Sequence, residues 1–118
     1  MKIYSIIKNL VDLTKNLRSL GSINPSTTMT ITIPSSHYGL IMLHASYSSL
    51  TAIVEYYCNS TGVMTAKVMA VPEGTTTKSY TITTSTNTVT IANNHSSGYI
   101  TNVQVLGIDA KNITYSTT

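Results

Sequence analysis

Apolar residues recur at two different periods along this chain. Over residues 2–20, Ile3, Leu10 and Leu17 stand seven apart, and Ile6, Leu13 and Leu20 repeat that step three residues later. This is the a/d stripe of a coiled coil, sustained for nearly three heptads. Lys2, Lys8, Asp12, Lys15 and Arg18 fall between the stripe residues, on the face that meets water. No proline interrupts, Gly21 follows the last stripe leucine where helices commonly stop, and Asn24-Pro25 prevents resumption. The spacing predicts a helix from Lys2 to Leu20, about 28 Å long at 1.5 Å per residue.

Isoleucine at both a and d in the first heptad favours three- or four-stranded coils over dimers. Ile7 at e, with uncharged Asn9 and Asn16 at g, widens the seam further. The expected partner is therefore the chain itself, as a homotrimer zipped along Ile3, Ile6, Leu10, Leu13, Leu17 and Leu20. The same stripe, with Ile7 and Val11 beside it, also describes a helix lying on its own domain's core. Three heptads are marginal alone in water, so contacts of one kind or the other must hold them. Polar residues break the apolar run every two or three positions and no small-residue cleavage site follows, so no secretory signal is expected here. The longest apolar run is far too short to span a membrane, and no membrane insertion is expected.

Beyond Gly21 the period becomes two. In "TTMTITI" (27–33) Met29, Ile31 and Ile33 alternate with threonines, which predicts a half-buried strand closed by Pro34. "YGLIMLHASY" (38–47) is nearly continuous in apolar residues and predicts a central strand covered on both faces. Further strands are predicted over 51–59, 62–71, 76–84, 88–93 and 98–108, with a short closing one over 112–116. Turn residues separate them at even, short intervals, among them Pro34-Ser35-Ser36, Ser85-Thr86-Asn87 and Asp109-Ala110. Short, evenly punctuated strands predict a mainly β fold: an antiparallel β-sandwich or jelly roll preceded by a short N-terminal coiled-coil helix. The corresponding units are an oligomerisation helix over 1–21 and a β-sandwich head over 22–118.

Composition sharpens this picture. Only 9% of the 118 residues are charged, and five of the eleven charges precede Gly21. The net charge of +3 comes largely from that segment, so nucleic-acid binding has no basic patch to rest on. With no Phe and no Trp, the core must be filled by aliphatic residues, methionines and parts of eight tyrosines. So light a core buries little surface by itself, and oligomerisation is a usual remedy. Cys58 is the sole cysteine, so no intrachain disulfide can form.

Catalysis needs a nucleophile with its base, a carboxylate pair or a metal cluster. Asp12, Glu55, Glu73 and Asp109 are assigned to a helix face, an outward strand position and two turns, and no spacing brings two together. His37, His44 and His95 are scattered, and Cys58 has no partner histidine and reads as a small core residue. The sequence is that of a non-enzyme, with no cofactor and no metal site expected.

Binding is the remaining role. Tyrosines at strand ends offer a flat apolar face with a hydroxyl, suited to sugar rings or protein contacts. Tyr47, Tyr57 and Tyr99, with Asn94 in the amide- and hydroxyl-rich loop 93–98, are the candidate ligand residues, and cell-surface glycan is the candidate ligand. The same tyrosines also serve as substitutes for the missing Phe and Trp, and the same loop residues are those any turn employs.

The segments "SLGSINPSTTMTITIPSS" and "TSTNTVTIANNHSSGYITNVQVLG", following a short heptad helix, resemble the carboxy-terminal region of bacteriophage tail-fibre and receptor-binding proteins. That resemblance implies a homotrimer in which a coiled coil leads into a β-head that contacts the bacterial surface. It further implies a virion protein, made in the bacterial cytoplasm without a signal peptide, that attaches to host carbohydrate. Two other readings fit the same residues: a purely structural virion or decoration protein without a specific ligand, and a bacterial carbohydrate-binding adhesin module.

Overall fold

The computed structural model describes residues 16–45, 51–70, 80–95 and 99–118. The stripe positions Ile3, Ile6, Leu10 and Leu13, and the candidate ligand residue Tyr47, lie outside the described residues.

Alternating runs become strands wherever the sequence supplies them. They are β1 (Leu17–Ile23), β2 (Thr28–Thr32), β3 (His37–Ala45), β4 (Thr51–Cys58), β5 (Met64–Ala70), β6 (Tyr80–Ser85), β7 (Thr88–Asn93), β8 (Thr101–Gly107) and β9 (Thr114–Thr117), with a 3-10 turn at Ala110–Asn112. They form two sheets of antiparallel pairs, a five-stranded one in the order β1-β8-β3-β4-β5 and a four-stranded one in the order β6-β7-β2-β9. One apolar core lies between them: Ile41, Leu43, Val54, Tyr56, Val103 and Val105 from the first sheet meet Met29, Ile31, Val89, Ile91 and Ile113 from the second side. The expected antiparallel sandwich is therefore present.

The end of the predicted helix is corrected by the structure. Residues 17–20 are strand, not the last turn of a helix, and Leu17 and Leu20 are not stripe partners. Leu20 is fully buried in the sandwich core, whereas Leu17 is 43% exposed on the other face of its sheet. The strand wins because it buries Leu20 and Ile23 completely, worth roughly 1.5–3 kcal/mol each. A final helical turn over residues 17–20 would gain only tenths of a kcal/mol per residue from propensity. A β-bulge makes both burials compatible. The register of β1 against β8 jumps between Ser19 and Gly21, so Leu20 is the extra residue, and Gly21 sits at φ 86°.

β1 and β2 together, and β7 and β8 together, act as the two arms of one ribbon that bends from the first sheet to the second. β1 pairs with β8 and β2 pairs with β7. Where the ribbon bends, Ser26 N–H donates to the Asn93 carbonyl and Asn93 N–H to the Thr27 carbonyl, both at 2.9 Å. Pro25 and Ser26, the latter at φ 64°, turn the first arm.

The opposite end is tied by Asn87, which occupies the left-handed region at φ 57° in the β6–β7 turn. Its amide donates to the Ile33 carbonyl at 2.8 Å, and its own N–H donates to the Gly62 carbonyl at 3.0 Å. Asn59 organises the β4–β5 loop there, its side-chain oxygen accepting from Thr61 N–H, Thr61 Oγ1 and Val63 N–H.

β3 differs from expectation in one respect. It is an interior strand, with Ile41, Leu43 and Ala45 buried, but its other face carries Tyr38, Leu40, Met42 and His44 outward. Every described element belongs to the two sheets or to the 3-10 turn, so among the described residues no layer covers that outer face.

Candidate functional site

The outer face of the five-stranded sheet is built by strand alternation from residues whose register is fixed. One row crosses the whole sheet: Leu17 opposite Leu106, Leu106 opposite Leu40, Leu40 opposite Glu55, and Glu55 opposite Lys67. It is apolar over β1, β8 and β3 and becomes charged only over β4 and β5. Leu40 and Leu106 are half-buried by their neighbours on the face.

On one side of this row the surface is aromatic. Tyr38 on β3 pairs directly with Tyr57 on β4, and the two remain 56% and 50% exposed. With Leu40, Glu55 and Met69 they line a cleft of about 590 Å³. Beneath them, on the inner face, Gly39 and Gly107 are register partners, and Gly39 is also the partner of Tyr56. The absence of side chains at both glycines lets the Tyr56 ring lie along the sheet. A Cβ on Gly39 would come 2.9 Å from Tyr56 Oη, and one on Gly107 would collide with it. That hydroxyl is fully buried without a hydrogen-bond partner, and burial pushes its pKa up to about 12.

On the other side of the row the surface is polar. Ser19 pairs with Gln104 and Gln104 with Met42; one step along, Ser22 pairs with Asn102 and Asn102 with His44. These six residues and the bare backbone of Gly21 line a second cleft, of about 460 Å³. Six steps along β3 separate the Tyr38 row from the His44 row, or about 20 Å at 3.4 Å per residue.

The other sequence candidates do not join this face. Tyr99 stacks on His95 with ring centroids 5.4 Å apart, and Tyr80 meets His95 edge-on at 5.1 Å. The Tyr80 and Thr101 hydroxyls share a hydrogen bond of 2.7 Å. Asn94, exposed, donates to Thr81 Oγ1 at 2.8 Å. This group surrounds the ribbon bend, near Thr101, whose register partner is Ala45; Tyr57 is opposite Tyr38, seven positions away along β3. Tyr57 on the one hand, and Tyr99 with Asn94 on the other, are thus not brought together.

His37 and His44 stand on opposite faces of β3, His37 Nδ1 donating to the Ser35 carbonyl at 3.0 Å. Cys58 is buried, and burial pushes its thiol pKa up, opposite to what a nucleophile needs. Among the described residues no three His, Cys, Asp or Glu side chains are grouped to hold a metal ion, and no helix is long and apolar enough to cross a membrane.

Sequence reasoning overlooked the Ser19, Ser22, Asn102 and Gln104 group because it placed Ser19 on a helix and because the pairing of β1 with β8 is set by tertiary register. The signal was present in β8, where Asn102 and Gln104 alternate with Thr101, Val103 and Val105. No protein-family model, no curated protein and no solved structure matches the chain.

Proposed function

We propose that this chain is a non-catalytic recognition head of the bacteriophage tail-fibre type, which holds bacterial surface carbohydrate against the outer face of its five-stranded sheet. The observation that carries the reading is the Tyr38–Tyr57 pair. Two tyrosines are cross-strand partners on two interior strands of the sheet and keep half their surface in water. A tyrosine that merely replaced phenylalanine in the core would be buried, as Tyr56 is. Exposed rings on a rigid sheet suit the flat apolar faces of pyranoses and cost little conformational entropy on binding. The low charge of the chain agrees with a neutral polysaccharide partner.

In this reading the head works as a homotrimer and resides on the virion, with Ile3, Ile6, Leu10 and Leu13 joining the copies. Trimerisation would multiply weak single-site affinities, since a second and third site on one particle bind at high effective concentration.

A second reading, a structural decoration protein without a specific ligand, is favoured by the Leu17–Leu106–Leu40 row, which suits a protein neighbour better than a sugar. A glycan array probed with the intact oligomer separates the two. Retention of particular bacterial-wall glycans, reduced by Tyr57→Ala, supports recognition; an array blank across wall polysaccharides overturns it and leaves the structural reading.

A further inference from the structure

We infer that the cleft between β1, β8 and β3 is a subsite for an uncharged pyranose, gripped by the side-chain amides of Asn102 and Gln104. The inference rests on the carbohydrate reading above and specifies where on the face the sugar's hydroxyls are read.

The strand pleat puts Asn102 and Gln104 on the same side of β8, with backbones about 6.8 Å apart, a spacing that lets each amide address a different edge of one sugar ring. Each is flanked across the sheet: Asn102 by Ser22 and His44, Gln104 by Ser19 and Met42. An amide offers two N–H donors and a carbonyl acceptor in one plane, and a sugar hydroxyl is both donor and acceptor, so adjacent hydroxyls of a pyranose can engage one amide at both its ends. The Ser19 and Ser22 hydroxyls extend the same double capacity to the cleft wall. Met42 supplies a polarizable apolar surface for the C–H face of the ring. Among the described residues, no hydrogen bond engages the Asn102 or Gln104 side chain, so both are unspent.

At the bulge, Leu20 turns wholly into the core and the backbone of Gly21 lines the cleft, while Ser22 takes the outward position opposite Asn102. The cleft volume of about 460 Å³ lies within the range of small-ligand sites.

Charge decides the ligand class. No Asp, Glu, Lys or Arg lines the cleft. His44 is the one ionisable side chain there, so a carboxylate- or phosphate-bearing sugar would shed hydration with no lysine or arginine to meet its charge, which is unfavourable. A neutral hexose meets no such penalty.

The test uses the full chain on an array of glucose-, galactose- and mannose-terminated glycans beside sialylated ones. It compares the wild type with Asn102→Ala/Gln104→Ala and with Tyr57→Ala, and a thermal melt of each variant controls for folding. The expected result is retention of a neutral glycan that falls about tenfold or more in the double variant, the equivalent of about 1.4 kcal/mol, with an unchanged melting temperature. Because both amides face water, the double variant is expected to fold. Neutral-glycan retention unaffected by the double variant, but lost with Tyr57→Ala, overturns the subsite while leaving the carbohydrate reading intact. Retention of sialylated glycans alone overturns the uncharged specificity. A wild type that retains no glycan overturns both.

Discussion

The Asn93 side chain donates to the Ile23 carbonyl at 2.9 Å across 70 residues of sequence, at the place where the ribbon bends from one sheet to the other. Its amide also donates to the Tyr99 carbonyl at 3.0 Å, and its side-chain oxygen accepts from His95 N–H at 3.0 Å. Asn93 is fully buried, yet each polar group of its side chain has a partner. β7 ends on Asn93 itself and β1 on its partner Ile23. Asn93→Ala would leave the Ile23 and Tyr99 carbonyls and the His95 N–H without it, and each buried group left unpaired costs about 1–3 kcal/mol. Chemical denaturation should show a loss of about 2–4 kcal/mol in total, since the part-buried partners recover some bonds to water. Asn93→Asp should be worse at neutral pH than in acid, because an ionised carboxylate would face two carbonyl oxygens.

Tyr56 provides a pH-dependent prediction. Burial raises its pKa from 10.0 in the unfolded chain to about 12 in the fold. Below pH 10 the hydroxyl is neutral in both states and the protein has its full stability. Between pH 10 and 12 the unfolded chain releases a proton that the folded chain keeps, so stability falls as pH rises. Each pH unit between those two values removes about 1.4 kcal/mol, so the whole loss should approach about 2–3 kcal/mol. Tyr56→Phe removes an unpartnered buried hydroxyl and keeps the ring. At pH 7 it should be neutral to about 1 kcal/mol stabilising, and its alkaline decline, followed by urea titration at several pH values, should be shallower than that of the wild type.

Gly107 is required by the same ring. A Cβ there would overlap Tyr56 Oη and approach the Tyr38 carbonyl to 2.7 Å. The carbonyl belongs to the neighbouring strand and cannot rotate away, so Gly107→Ala should destabilise by about 1–3 kcal/mol, the usual cost of overpacking. The penalty should be smaller in a Tyr56→Phe background, which removes the nearer atom. A double-mutant cycle that showed strict additivity would contradict this contact.

The two halves of the amino-terminal stripe should separate experimentally. Leu20→Ala should cost about 2–5 kcal/mol of stability, as truncation of a buried leucine does, because Leu20 fills the sandwich. Leu17→Ala, at a position 43% exposed, should change stability by only a fraction of that. Leu13→Asp, or removal of residues 1–15, should instead act on assembly. Sedimentation of the intact chain is expected to give a trimer that weakens or dissociates in both variants, while the melting of the sheet core is kept. A monomer at high concentration would remove the seam from the proposed function.

Much of the sandwich was legible because its strands obey a strict period. In "TMTIT" each apolar residue is buried and each threonine between them is not, and the β7 run "TVTIAN" behaves alike with Val89, Ile91 and Asn93 inward. Ser85-Thr86-Asn87 also marked the β6–β7 turn correctly. β1 was not legible for a physical reason. Leu17, Leu20 and Ile23 lie three apart, and a regular strand cannot bury two residues at an odd spacing. Only the bulge at Leu20 puts Leu20 and Ile23 on the same side, and a spacing of three reads as a helix until the bulge is known. The outer face was hidden for a related reason. The continuous apolar run of β3 predicts two covered faces, whereas Leu40 and Met42 are half-buried on a face without a described second layer.

The sequence by itself determined the class of fold, the positions of most strands and turns, and a surface nearly free of charge. These follow from local alternation and residue chemistry, which act over a few neighbours. Tertiary structure decided which residues share a face. It set the polar amides of β8 between serines from one end of the chain and a histidine of β3, and it laid Tyr38 beside Tyr57. Such adjacency depends on sheet order and register, and those are fixed by how two sheets close over a common core rather than by any short run of residues.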